Sequence, residues 1–383
     1  MEQVTRFFAE NFERLGLKKL ISTSYAAASK KFFNAEAHRR GGGRAGAPRT
    51  PSWYQPTLFE QESPQFDEKK TAVRGKIFVL DHDTNANGRI DLDDLEWKYL
   101  EGDGDFRSEE VCKLRDEADV IVTNPPFSLF REFLAWILWT DGEGNLTQRR
   151  GEAESEEGFL AASAFAQCAT VDKKNAKSAK QFLIIGNMNA ITYKEVFPLI
   201  KAKRAWLGAT GFMTDMVFAV PRGAYVAPAD KAKAERLGYV GDYTRLGNSC
   251  WFTNLEHGRR HQPLQLMTMS DNLRYSRHKD IKEQGYQHYD NYDAIEVPFT
   301  DAIPGDYDGV MGVPISFLDK YCPDQFEILG MTDRGNVYGI KTHEYTEEDT
   351  PNANDLNRRG AIFVDGVLKS TYARILIRAR RSK

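Results

Sequence analysis

Four consecutive residues, Asn124-Pro125-Pro126-Phe127, bring together an amide, two stiff carbonyls and an aromatic ring. They follow Val120, Ile121 and Val122, a β-branched run that reads as a buried strand covered on both faces. Neither proline has an N–H to donate, so the strand must stop there. Pro125 also holds Asn124 in an extended conformation. The group therefore stands at the C-terminal edge of a strand, which is where open α/β sheets bind ligands.

Such a group can activate an exocyclic amino group such as that of adenine. The amino lone pair is delocalised into the ring and is a poor nucleophile. Two acceptors, the Asn124 side-chain oxygen and the Pro125 carbonyl, favour the pyramidal form in which the lone pair is released. Phe127 offers a ring face for stacking, worth about 1–3 kcal/mol per base. A base inside a duplex must first be turned out to be reached, and the rest of the work is alignment. Turn punctuation alone accounts for the prolines. It does not account for the apolar strand before them, the aromatic after them and the helix that starts at once.

The elements around this turn are legible in outline. Phe130, Phe133, Leu134 and Ile137 recur at helical spacing and predict a helix over 128–139. Phe182 to Asn189 reads as a second buried strand ending in Asn187 and Asn189, with a helix at about 192–202. Upstream, Val4, Phe7, Phe8, Phe12 and Leu15 predict a helix capped by Gly16. A strand over 18–25 then runs out through Ser22-Thr23-Ser24-Tyr25. Residues 76–80 read as a strand, Leu95 to Leu100 as a short helix, and the stretch ending at Asp116 as a charged helix. Further strands are expected at 216–220, 249–255, 313–315, 326–330 and 373–378.

Composition narrows the class. The 383 residues are 41% hydrophobic and 12% aromatic, enough for a sizeable core. The net charge of −3 restricts any nucleic-acid contact to local patches. The four cysteines are widely spaced without a CxxC pair, which argues against a zinc site or disulfide framework and fits a reducing compartment. No apolar run reaches the roughly 18 residues of a membrane helix, and Arg6, Glu10 and Glu13 break any signal-peptide pattern. A cytoplasmic α/β protein with no membrane partner is expected.

Three stretches have readings of their own. Residues 26–70 read as an irregular loop whose basic, glycine-rich tract His38–Arg44 is a surface segment or a phosphate-contacting arm. Asp83 to Asp94 matches a calcium loop at several positions, but Asp94 replaces the bidentate glutamate and a strand precedes the loop. An Asx-rich turn without metal is the expectation. Residues 141–178 are charged and poor in aromatics and read as an inserted, solvated excursion.

The chain resembles the EcoRI-type adenine-specific DNA methyltransferases. The resemblance rests on residues 15–25, Gly102 to Ser108, Asp119 to Phe133, Phe182 to Tyr193, Trp251 to His257 and Tyr292 to Phe326. The Asn-Pro-Pro-aromatic turn is shared with other N-methyltransferases. Its combination with Gly-Asp-Gly-Asp-Phe-Arg-Ser and Ile-Gly-Asn-Met-Asn-Ala is more specific. The resemblance implies a doubly wound, Rossmann-like α/β sheet with helices on both faces, plus a C-terminal α+β region. It implies methyl transfer from S-adenosyl-L-methionine to adenine N6 in double-stranded DNA, in a bacterial or phage setting. A restriction endonuclease reading the same site is then expected as a functional counterpart, without a stable complex.

By the same resemblance, Asn124, Pro125, Pro126 and Phe127 are the catalytic motif. Asp105 and Phe106 hold the cofactor's adenine, Ser22, Thr23 and Tyr25 line its ribose, and Asn187 and Asn189 line the target-base pocket. No metal is implied. Residues 1–257 are expected to form the catalytic domain and 258–383 the DNA-contacting region, whose Arg, Lys and Tyr suit phosphates and bases.

The family pattern also implies a strand and a Phe-x-Gly-x-Gly loop ahead of residue 4. Phe326–Gly330 lacks the second glycine and does not supply it. The chain is therefore expected to be incomplete at its N-terminus and to bind the cofactor weakly. Two other readings stay open on the sequence: methylation of a glutamine amide in a protein, and a DNA-binding remnant without catalysis.

Overall fold

The computed structural model describes residues 3–26, 61–138, 180–210, 216–220, 226–241, 243–333 and 336–380. The tract 38–44 and the segment 141–178 lie outside these residues. The chain divides into two compact units, one of residues 1–119 and 132–180, the other of residues 120–131 and 181–383. Both mix helices and strands.

In the first unit, α1 (Gln3–Glu10) precedes β1 (Leu20–Ser24). α1 and the turn after it bury Thr5, Ala9 and Phe12, whereas Val4 and Phe7 are exposed. The buried i, i+4, i+7 stripe thus shares Phe12 with the expected set but otherwise runs through Thr5 and Ala9, one step round from Val4 and Phe8. After α2 (Glu68–Val73), β2 (Lys76–Leu80) and β3 (Glu96–Tyr99) complete an antiparallel three-stranded sheet in the order β1-β2-β3. The expected helix at 95–100 is therefore a strand. Leu95, Trp97 and Tyr99 alternate with Glu96 and Lys98, a period of two, and Phe78 pairs with Trp97 across the sheet. Phe78, Leu80, Leu95 and Trp97 form a core with Ala9 and Phe12. α3 (Glu109–Glu117) follows, capped by the Ser108 hydroxyl, which accepts from the Val111 N–H.

The loop 83–94 spends its acidic groups on its own backbone. One Asp94 oxygen accepts from the Thr84 N–H at 2.8 Å and the Thr84 hydroxyl at 2.9 Å, and the other from the Asp91 N–H at 3.1 Å. Asp83 accepts from Asn87 and Gly88. Among the described residues no group of three or more acidic, His or Cys side chains is arranged to hold a metal ion.

In the second unit, β4 (Val120–Thr123) pairs in parallel with β5 (Gln181–Asn187). α4 (Phe130–Leu138) begins in this unit and contributes Glu132 onward to the other. α5 (Phe197–Lys201) leads to β6 (Trp206–Leu207), followed by β7 (Met216–Ala219), α6 (Pro228–Arg236), β8 (Tyr243–Leu246) and β9 (Ser249–Thr253). The sheet order is β4-β5-β9-β6, with β9 antiparallel to both neighbours. β4 is thus an edge strand among the described residues. Val120 is exposed and Ile121 to Thr123 are half-buried, not covered on both faces as expected. β5, with a neighbour on each side, is the buried one.

α7 (Met269–Tyr275) and α8 (Lys279–Gln284) precede β10 (Ile295–Glu296), β11 (Met311–Pro314), β12 (Phe326–Met331), α9 (Ala353–Leu356), β13 (Ala361–Val364), β14 (Val367–Ser370) and β15 (Arg374–Ala379). Their main sheet runs β10-β11-β15-β12, and β13-β14 form a hairpin. The hairpin turns on Asp365 and Gly366, both at positive φ. No helix among the described residues is long and apolar enough to cross a membrane.

Candidate active site

The turn after β4 is fixed from below. Pro125 is buried, while Asn124, Pro126 and Phe127 are exposed. A 3₁₀ turn over Phe127–Leu129 follows at once, with the Leu129 N–H donating to the Pro126 carbonyl at 2.8 Å. Phe130 then drives its ring into the core against Phe252, with centroids 5.1 Å apart. Gly186 of β5 makes room for it: a Cβ there would sit 2.4 Å from the Phe130 ring. A glycine in a central strand is otherwise a weakness, and here it marks a close approach.

β4 and β5 are parallel, so their C-terminal ends point the same way. Asn187 closes β5, and its side-chain oxygen accepts from the Asn189 N–H at 2.8 Å, capping a 3₁₀ turn over Met188–Thr192. Phe127, Ser128, Phe130, Asn187, Asn189, Ala190 and Tyr193 line one open cleft of about 310 Å³. The structure therefore brings together three of the residues singled out in the sequence, Phe127, Asn187 and Asn189. Asn124 stands three residues before Phe127, at the end of β4. Tyr193 was missed: its only sequence signal was its place at the end of the stretch from Phe182 that carries the family resemblance.

The remaining residues singled out lie in the first unit. The Phe106 N–H donates to the Tyr25 hydroxyl at 3.3 Å. The Ser24 carbonyl is crowded by Gly104 and Gly75, where a Cβ would come within 2.5 and 2.7 Å of it. Two of the glycines around this knot are therefore required by backbone contact. Asp105 is half-buried and meets Arg107 in a fork, Nε to Oδ1 at 2.9 Å and Nη2 to Oδ2 at 2.7 Å. The Arg107 N–H also donates to Oδ1 at 2.8 Å. Burial alone would raise the Asp105 pKa, but these bonds outweigh it and hold the carboxyl below its ordinary value. Burial first, and then the Asp105 charge, push the Tyr25 hydroxyl well up, so it stays protonated.

Phe106 is 4% exposed, and its ring stacks on Phe133 at 3.9 Å. Strand alternation separates Ser22 from Thr23. The Ser22 hydroxyl pairs with that of Thr5 at 2.7 Å, so Ser22 faces α1. The Arg107 guanidinium, 3.5 Å from Glu132 on its other side, was not singled out from the sequence.

Part of the basic region 258–300 is structural. The Arg260 guanidinium lies 3.7 Å from the Trp206 ring centroid and pairs with Glu256. His261 bridges Glu256 and Asp324, and His278 stacks on Phe299 at 3.7 Å. Tyr275 and Arg277 remain exposed, at 71% and 78%, although Arg277 pairs with Asp301.

A family pattern described as adenine-specific methyltransferase EcoRI matches residues 2–143 and 171–380. The type II methyltransferase M.EcoRI of Escherichia coli is 34% identical over 325 residues, covering 85% of this chain and 73% of its own. The type II methyltransferase M.MpnI of Mycoplasma pneumoniae is 29% identical, covering 77% of this chain and 75% of its own. The type II methyltransferase M.MgeORF184P of Mycoplasma genitalium is 29% identical, covering 74% and 71%. No solved structure matches the chain.

Proposed function

The chain belongs to the EcoRI family of adenine-specific methyltransferases, and from that premise we propose that it methylates N6 of an adenine turned out of double-stranded DNA. Membership makes it an enzyme of DNA adenine methylation. The observation that carries the finer reading is the cleft beside the Asn-Pro-Pro-Phe turn, lined by Phe127 and two asparagines. A cavity with an aromatic wall and amide groups suits a flipped base better than a glutamine side chain, which has no ring to stack. The doubly wound arrangement belongs to this reading too. Its support is the parallel β4–β5 pair with candidate residues at its C-terminal ends.

In this reading the Asn124 side-chain oxygen and the Pro125 carbonyl accept the two N–H groups of the adenine amine and free its lone pair. Phe127 stacks on the base. Asn187 spends its oxygen on the Asn189 N–H, so its amide N–H groups are what it offers to ring nitrogens. S-adenosylmethionine, when bound, supplies an electrophilic methyl group on a sulfonium centre. The polar residues of the first unit fit such a group: the Asp105 carboxylate can accept from an amine, and Tyr25 and Thr23 can bond ribose hydroxyls. Ser22 belongs to this set only through its backbone, and Phe106 supports Asp105 through its packing on Phe133. The region 258–383 would carry DNA contact, with the exposed Tyr275 and Arg277 as its leading residues.

The test is methyl transfer to genomic DNA lacking adenine methylation. Asn124→Ala should lower the rate by about 100- to 1000-fold, the usual loss on removing one preorganised hydrogen-bonding group from a reacting centre. Transfer to DNA undiminished in Asn124→Ala would overturn the chemistry, and DNA binding without transfer by the wild type would leave a non-catalytic binder.

A further inference from the structure

We propose that Tyr193 is the second stacking surface for the target base, opposite Phe127, an assignment that rests on the reading above. Phe127 and Tyr193 line the same cleft and are comparably exposed, at 39% and 37%. A base leaving a duplex loses stacking on both faces, and one ring replaces only one of them.

Tyr193 is held as a platform would be. Its N–H donates to the Ala190 carbonyl at 3.0 Å, and its own carbonyl accepts from the Val196 and Phe197 N–H groups, each at 3.0 Å. The side chains of Ala190, Ile191, Val196 and Phe197 are buried. An exposed ring on an anchored backbone loses little freedom when a base settles on it. The Arg131 guanidinium lies 5.8 Å from the ring centroid and pairs with Glu195 at 3.7 Å. A cation on one face steadies the ring and directs the base to the other. A ring recruited only for packing would be buried, as Phe130 is.

The experiment compares wild type, Tyr193→Phe, Tyr193→Ala and Tyr193→Leu. The methylated sequence is first mapped by sequencing product DNA. Each enzyme is then assayed on a duplex with the natural thymine opposite the target and on one with an abasic site there, which lowers the cost of flipping. On the natural duplex, where the flipped fraction of the bound complex limits turnover, Tyr193→Ala and Tyr193→Leu should lose about 10- to 100-fold in kcat, and Tyr193→Phe should restore most of it. On the abasic duplex the Ala and Leu defects should shrink to a few-fold, a rescue that a folding or cofactor defect would not show.

Full activity of Tyr193→Ala, or a defect of equal size on both duplexes, would overturn the assignment. Asn124→Ala, which removes an acceptor and not a stacking face, should be impaired equally on both. A wild type silent on DNA would remove the underlying reading. A silent Asn124→Ala beside a fully active Tyr193→Ala would remove the Tyr193 role alone.

Discussion

Asp105 carries a charge that its surroundings have already answered. Both its oxygens accept from Arg107, and that fork more than offsets the burial that would otherwise raise the carboxyl's pKa. Its folded pKa is lowered from 3.8. The stabilisation is therefore present above 3.8 and is lost as pH falls through the lowered folded value. Asp105→Asn should cost about 1–3 kcal/mol at pH 7, the worth of charge-assisted bonds to a half-buried group. The gap in melting temperature from wild type should close in strong acid. A gap independent of pH would show that the pair contributes nothing through its charge. Asp105 was legible in the sequence as an acidic residue in a glycine-rich stretch. Its partner was not, because residue order alone does not say that the Arg107 side chain folds back onto Asp105.

Among the elements, β5 sets the site. It is the only described strand that both pairs in parallel with β4 and ends in Asn187, and it packs closely because residue 186 has no side chain. Gly186→Ala should push the Phe130 ring aside, costing about 1–3 kcal/mol by overpacking. The same shift should move one wall of the cleft and lower methyl transfer, since Phe130 lines it. Denaturant unfolding and steady-state kinetics on one preparation check both effects. Unchanged stability would mean that Phe130 has somewhere else to go. β5 was readable because an apolar run flanked by polar residues is a strong local signal. Leu95 to Leu100 misled because six residues fit either period, and pairing with β2 decided for the strand. β4 misled because three β-branched residues state a preference for strand but not the number of neighbours.

Over the whole molecule the buried charges are the features furthest from sequence reasoning. Glu296 of β10 and Arg374 of β15 are 78 residues apart, yet they meet in the core of the second unit at 2.5 Å, and the Tyr289 hydroxyl donates to the same carboxylate. Both are under a tenth exposed. Glu296→Gln would leave the Arg374 guanidinium buried without its anion, and a loss of about 3–5 kcal/mol is expected in chemical denaturation. A loss under 1 kcal/mol would mean that water reaches the pair. By itself the sequence determined what is local. It determined the stiff Asn-Pro-Pro-Phe turn, the apolar strands before the two candidate ends, and the motif combination that places the chain in its family. These follow from backbone sterics, side-chain branching and residue order, which need no partner. Tertiary structure alone decided which strand lies at an edge, that Phe106 is covered by Phe133, that Arg107 holds Asp105, and that Tyr193 shares the cleft with Phe127. Each depends on groups distant in the chain occupying the same space, and burial, pairing and stacking are settled only when the chain closes on itself.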